Sequence, residues 1–280
     1  MSRKVIFNRY FCNQIVLAIS LSTLIFSFNF LLTKSSIQPL DVVIFIPLHF
    51  LCLHYLLNIT HIASHNQMSR SFLLNKFLGN IAAIFGGLTL ADFTATHLVH
   101  HLNPADKNKD PDYPITKLKS GKTNFLSIPF KIWMHDMYFW QSNLWKKRNA
   151  WVGYLINRIA QIAMVVAFSL SGNINIWSWF WLLPVLLVGY FNGMFLFYFP
   201  HFTTNWENAA RRNLITHKSI GIISSVCLKL IDISRIYHEF HHNNITENTN
   251  YYPLESYIWK SMYGNWVDVE SNFKGKYVHS

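Results

Sequence analysis

The chain has 280 residues, 51% of them apolar and only 13% charged, with a formal net charge of +11. Soluble domains average about 25% charged residues, so there is too little charge here to cover an ordinary soluble globule, and the apolar content excludes disorder. The basic excess comes without a Lys/Arg-rich helix or a recognised binding module, which argues against nucleic acid as a partner and for a membrane protein whose cytoplasmic flanks collect Lys and Arg.

The first apolar run, residues 10–32, has no charge and is long enough to cross a bilayer core, which takes about 20 helical residues. Ser2-Arg3-Lys4 before it resembles the start of a signal peptide. The run is too long for that, however, and no small-residue cleavage site follows, so it reads as a retained span. Residues 42–60 return across the membrane. The stretch 77–91 is short, carries Gly79, Gly86 and Gly87, and reads as a buried or half-inserted helix. Residues 97–150 are polar and basic, with turns marked by Pro104, Pro111, Pro114 and Pro129.

A third span is expected over about 154–171 and a fourth over 176–199, the latter interrupted by Pro184. The remainder is polar again apart from an amphipathic stretch at 220–236. The expected fold is all-α, a single domain over 1–280 with about four transmembrane helices in two hairpins. Segments 61–153 and 200–280 form a helical cap. The connectors around 33–41 and 171–175 hold only Lys34 among the 24 Lys and Arg, which places the cap and both termini on the cytoplasmic side. Trp177, Trp179 and Trp181 suit an interfacial aromatic belt, and Lys146-Lys147-Arg148 a cytoplasmic anchor.

The chemistry lies in the 14 histidines. Eight fall into three clusters: His61 with His65; His97, His100 and His101; and His238, His241 and His242. Residues three and four apart share one helix face, so each cluster aims at least two imidazoles at one point. All three clusters sit at the cytoplasmic ends of apolar stretches, and His201 adds a ninth candidate at the end of the fourth span. Helix ends meeting at the membrane surface would gather all nine around one cavity. Burying that many imidazoles without a cation costs desolvation for little return, whereas lone residues such as His49 and His54 read as hydrogen-bonded or solvated. Cys12, Cys52 and Cys227 are scattered and form no CxxC pair, so thiolate ligation is not expected. Eight or nine imidazoles suit two metals, and imidazole alone permits iron, copper or zinc.

The three boxes, in order and between spans, resemble those of the membrane fatty-acid desaturase and hydroxylase superfamily. Within it the chain is most similar to cyanobacterial-type β-carotene hydroxylases. The likeness lies in His97 to His101 running on to Lys109-Asp110-Pro111-Asp112, in His135-Asp136 followed by Phe139-Trp140-Gln141 and Leu144-Trp145, in Leu182-Leu183-Pro184 and in Pro200-His201. At Ile62 and Ser69 the chain departs from that family's first box, and Asn243 to Asn248 replaces its Trp/Pro-rich segment after the third.

The resemblance implies a non-haem diiron centre held by His61, His65, His97, His100, His101, His201, His238, His241 and His242. It implies O2 as co-substrate and a ferredoxin-type electron donor supplied as a separate protein. The substrate implied is a lipid or carotenoid in the bilayer, with hydroxylation of a β-ionone ring the first reaction and fatty-acyl desaturation or hydroxylation the alternative. Asp110 and Asp112 would orient ligating histidines through the ring nitrogen not bound to metal, or form a simple solvated turn, and His135 would join them or line the substrate path. A non-catalytic membrane metal-binding protein is the reading of a different class. Two irons with O2 consumption would exclude it, and exchangeable zinc without turnover would support it.

Overall fold

The structure is a computed structural model and describes residues 3–103, 106, 108–113 and 134–193. Among the described residues every regular element is helical. The order is α1 (Arg3–Leu32), α2 (Pro39–Ser64), α3 (Phe72–Gly86), α4 (Leu90–Leu102), α5 (Met134–Gln141), a 3₁₀ turn (Leu144–Asn149), α6 (Ala150–Leu170), α7 (Ile174–Trp177), a π-helical turn (Ser178–Leu182) and α8 (Leu183–Asn192). Four stretches are long and apolar enough to cross a membrane: Tyr10–Leu32, Pro39–Ser64, Ala150–Leu170 and Ile174–Asn192. Exposed side chains such as Ile159 and Ile162 of α6 stand where bilayer hydrocarbon takes the place of protein packing.

Helix α2 is the axis of the bundle and packs against α1, α3, α4 and α8. Its start is set by Pro39 at the first turn, with Asp41 accepting the Gln38 backbone N–H at 2.8 Å and pairing with Lys34. Such a reciprocal cap satisfies donors that a helix start leaves bare. The core around it is Leu24, Leu53, Leu56, Ile59, Ile62, Ala82, Ala83, Leu90 and Val188. The two helices α2 and α3 touch closely, and only a glycine at position 79 leaves room for Ala63.

The fourth span widens into the π-helical turn just before Pro184. A proline has no N–H to return to the carbonyl four residues earlier, which here is that of Phe180. That carbonyl is taken by Nδ1 of buried His49, while the other ring nitrogen of His49 meets the Ser27 hydroxyl at 2.5 Å. A carbonyl only accepts, so Nδ1 carries the proton. One lone histidine thereby ties α1, α2 and the fourth span. His54, also buried, pairs with Asn58 at 3.2 Å. Both are the hydrogen-bonded residues expected of isolated histidines.

Helices α3 and α4 form a broken pair bent by 97°. Ser71 caps the start of α3, accepting from Leu74 N–H at 3.4 Å. Gly87 ends it in the left-handed region at φ +78, where glycine avoids the Cβ penalty. Thr89 then caps α4. At that angle α4 runs across α3, as in a broken span or a re-entrant loop.

Breaking a helix at membrane depth frees carbonyls that no water can satisfy. Side chains of two spans supply the missing donors. Gln161 donates to Leu88 O at 2.7 Å, Arg158 to Gly87 O at 3.4 Å, and the Trp181 indole to Phe85 O at 2.9 Å, while Asn157 adds a further donor to Asn80 O inside α3 at 3.2 Å.

Candidate metal centre

His61 stands in the last turn of α2 and His65 is the residue that closes it. Helix α4 lies against this end of α2 and presents two faces. Phe93, His97 and His101 follow one another at spacing four and meet α2: the Phe93 ring stacks on His97 at 5.3 Å and stands edge-on to His61 at 6.2 Å. Asp92, Thr96 and His100, again at spacing four, form a second, buried face turned away from it.

The first face and the end of α2 bring four imidazoles together. Nε2 of His97 lies 2.8 Å from Nε2 of His61, 3.1 Å from that of His65 and 2.9 Å from that of His101. The ligand atoms of all four lie within 4.8 Å of one another. An imidazole nitrogen carries either one proton or one lone pair, so His97 Nε2 cannot make hydrogen bonds to all three neighbours at once. Nitrogens converging on one point are instead the donor set of a metal ion. Burial holds the His65 imidazole down to a pKa of about 4. Burial, with the neighbouring His65 and His100, holds His101 down to about 3. Both are neutral at physiological pH, the form that ligates. The donor set fits a divalent first-row metal such as iron.

His100 is not in this group. Its Nδ1 lies 2.8 Å from Asp110 Oδ1 and 3.1 Å from Asp112 Oδ2, with all three side chains buried. Burial opposes charge on this ring, yet Asp112 and Asp110 raise its pKa above the ordinary value. The turn through Pro111 is held in place by the Asp112 N–H donating to Asp110 Oδ1 at 2.8 Å, and the loop by the Tyr138 hydroxyl of α5 donating to Lys109 O at 2.7 Å. Asp112 also reaches Nε2 of His135 at 2.5 Å, the first turn of α5 having carried that ring into the buried cluster. With Nδ1 turned to carboxylates, His100 keeps Nε2 as the nitrogen a metal can take. This is how outer carboxylates usually orient an imidazole ligand.

Of the expected ligands, His61, His65, His97 and His101 come together, and His100 lies beside them on the adjoining face of α4. His201, His238, His241 and His242 fall outside the described residues. The three accessory residues Asp110, Asp112 and His135 do meet, around His100. Composition and spacing passed over Asp92 and Arg158, which together with Asp136 form a polar network next to the cluster. Arg158 in an apolar run was the available signal, because an ionisable group at membrane depth is a functional candidate by default.

A family model described as "Fatty acid desaturase" matches residues 38–257, a stretch that begins at the cap of α2 and spans all nine candidate histidines. Among curated proteins and among solved structures, nothing matches.

Proposed function

The chain belongs to the fatty acid desaturase family, a membrane-bound group of oxidoreductases, and on that premise we propose that it oxidises an unactivated C–H bond of a bilayer lipid with O2. The observation that carries this reading is the convergence of four imidazole Nε2 atoms at the end of α2. His61, His65, His97 and His101 would hold one iron. His100, through Nε2, would serve a second together with His201, His238, His241 and His242. Two irons so held supply the capacity to activate O2 against an inert C–H bond. Hydroxylation consumes O2, two electrons and two protons, and releases one water beside the alcohol. The electrons come from a separate ferredoxin-type donor.

The described residues have the tasks of holding, orienting and shielding. Phe93 packs on two of the imidazoles and limits their rotation. Asp110 and Asp112 hold Nδ1 of His100, so that the ring would turn its Nε2 to a metal. Ile59 and Ile62, buried at the end of α2, keep water from that side of the centre. The cap and both termini are assigned to the cytoplasmic side on the Lys/Arg distribution.

The substrate proposed first is the β-ionone ring of a carotenoid. Supporting it, the residues that carry the likeness to β-carotene hydroxylases, Asp110, Asp112 and His135, are those that gather around His100. The description of the matching family favours a second reading, desaturation or hydroxylation of a fatty-acyl chain. Expression in a bacterium accumulating β-carotene, with a ferredoxin supplied, separates them. Hydroxylated carotene by chromatography and mass supports the first reading. Unchanged carotene beside newly unsaturated or hydroxylated acyl chains replaces it with the second. Zinc-loaded protein without turnover of either would remove both.

A further inference from the structure

Span α6 carries Tyr154, Asn157, Arg158 and Gln161 in an otherwise apolar run, spaced to lie on one helix face. Arg158 stands eight residues into the span, about 12 Å from its start at 1.5 Å per residue. An arginine at that depth is tolerated where it faces the bundle interior and is paired. Arg158 pairs with Asp136 Oδ2, donates to Gln161 Oε1 at 2.8 Å, and lies 5.3 Å from the centre of the Tyr154 ring. Asp136 also accepts from the Tyr154 hydroxyl at 3.2 Å.

Behind Asp136 lies Asp92, 4% exposed, on the helix α4 that packs against α5, its carboxyl near enough to that of Asp136 to be raised by it. Two carboxyls in contact share a proton. Asp136 faces Arg158 and Tyr154. Burial first, and then Asp136, push Asp92 well above the usual carboxylate range, so Asp92 is the neutral one. Its Oδ1 is occupied by the Thr89 hydroxyl and by the Phe93 N–H at 2.7 Å, which leaves the other oxygen to carry the proton to Asp136.

This network joins three elements. Arg158 belongs to a span, Asp136 follows His135 in α5, and Asp92 lies on the same face of α4 as His100. We propose that Asp92, Asp136 and Arg158 are positioning residues that set the rotation of α4 about its axis, and so decide which of its histidines face α2 and which face the carboxylates. The proposal rests on the metal-centre reading above. If Arg158 only capped the broken helix through Gly87 O, the two carboxyls would be dispensable.

The test uses the full chain, purified in detergent and titrated with cobalt(II), whose visible bands report ligand geometry. Asp136→Ala and Asp92→Leu remove the pairing but leave Gln161 on the carbonyls of the break. Both variants are expected to elute as wild type with cobalt affinity lowered roughly tenfold, the low end of what losing a group that orients a ligand costs, and with displaced bands. Asp92→Asn, whose amide still donates to Asp136, restores affinity and bands. Wild-type affinity and bands in Asp136→Ala and Asp92→Leu overturn the proposal. Should either aggregate, Arg158→Lys decides: a lysine keeps the charge but not the planar fork that reaches several partners. Displaced bands with unchanged elution then support the proposal, and unchanged bands overturn it. A wild-type chain that takes up no cobalt strikes the proposed function itself, and the inference falls with it.

Discussion

Nε2 of His61 and Nε2 of His97 lie 2.8 Å apart across the interface between α2 and α4. Neither helix builds this pair alone, so the centre exists only once the broken pair α3–α4 has docked on α2. Metal affinity and tertiary packing are therefore linked, and the expectations below separate the two.

Replacing His65 or His101 by Ala removes one of four converging nitrogens without changing the apolar surface of any span. Both variants are expected to insert into the membrane as wild type and to lose most of their iron, read by metal analysis of purified protein. His49→Ala should behave in the opposite way. It breaks the tie between α1, α2 and the fourth span, lowering thermal stability by about 1–3 kcal/mol for the buried groups left unpaired, while iron per folded chain is retained.

Asp110→Asn and Asp112→Asn keep the shape of the turn but weaken the carboxylates on His100. Metal affinity in chelator competition is expected to fall about 10–100-fold, as is usual when a group orienting a ligand is lost. His135→Gln should cost less, since its ring meets Asp112 and its loss leaves both carboxylates on His100. Equal iron retention in all three would assign the turn to structure alone.

At Gly79 an added Cβ would fall 2.5 Å from the Ala63 Cβ and 2.9 Å from Leu90 Cδ2. Gly79→Ala is therefore expected to push α3 off α2 and cost about 1–3 kcal/mol in thermal unfolding, the range for overpacked cores. Adding Ala63→Gly removes the nearest obstacle and should recover part of the loss. No recovery would place the strain at Leu90.

Reporters test the orientation. One inserted near Ser36, between α1 and α2, should read as external, and one near Lys119 as cytoplasmic, because the two connectors contain only Lys34 among the 24 Lys and Arg. An external signal near Lys119 would put the loop that follows the second box on the wrong side for the proposed donor.

The four candidate spans were legible because uncharged runs of twenty or so residues have few other uses, and the break between α3 and α4 because Gly86-Gly87 interrupts too short a run. The first two histidine clusters were legible from spacing, but spacing alone could not divide the second one. In His97-x-x-His100-His101 both intervals are helical, and which imidazole faces α2 depends on how α4 is docked. The role of Asp110 and Asp112 was open for a similar reason: a Pro turn reads the same whether its acids meet water or a buried ring. Asn157, Arg158 and Gln161 went unread because the run around them was judged by hydropathy, and their 1-3 spacing makes sense only beside the carbonyls they meet.

Because one short helix serves two environments, α4 has a fixed phase. An insertion or deletion of a single residue between Thr89 and His97 would turn everything beyond it by about 100°, carrying His97 and His101 off the end of α2 and His100 away from its carboxylates together. Lengthening the turn between α1 and α2 would disturb no ligand at all. Variation in length among sequences that keep this chemistry should therefore be found in the outer connectors and be missing from the stretch between the break and the second histidine box.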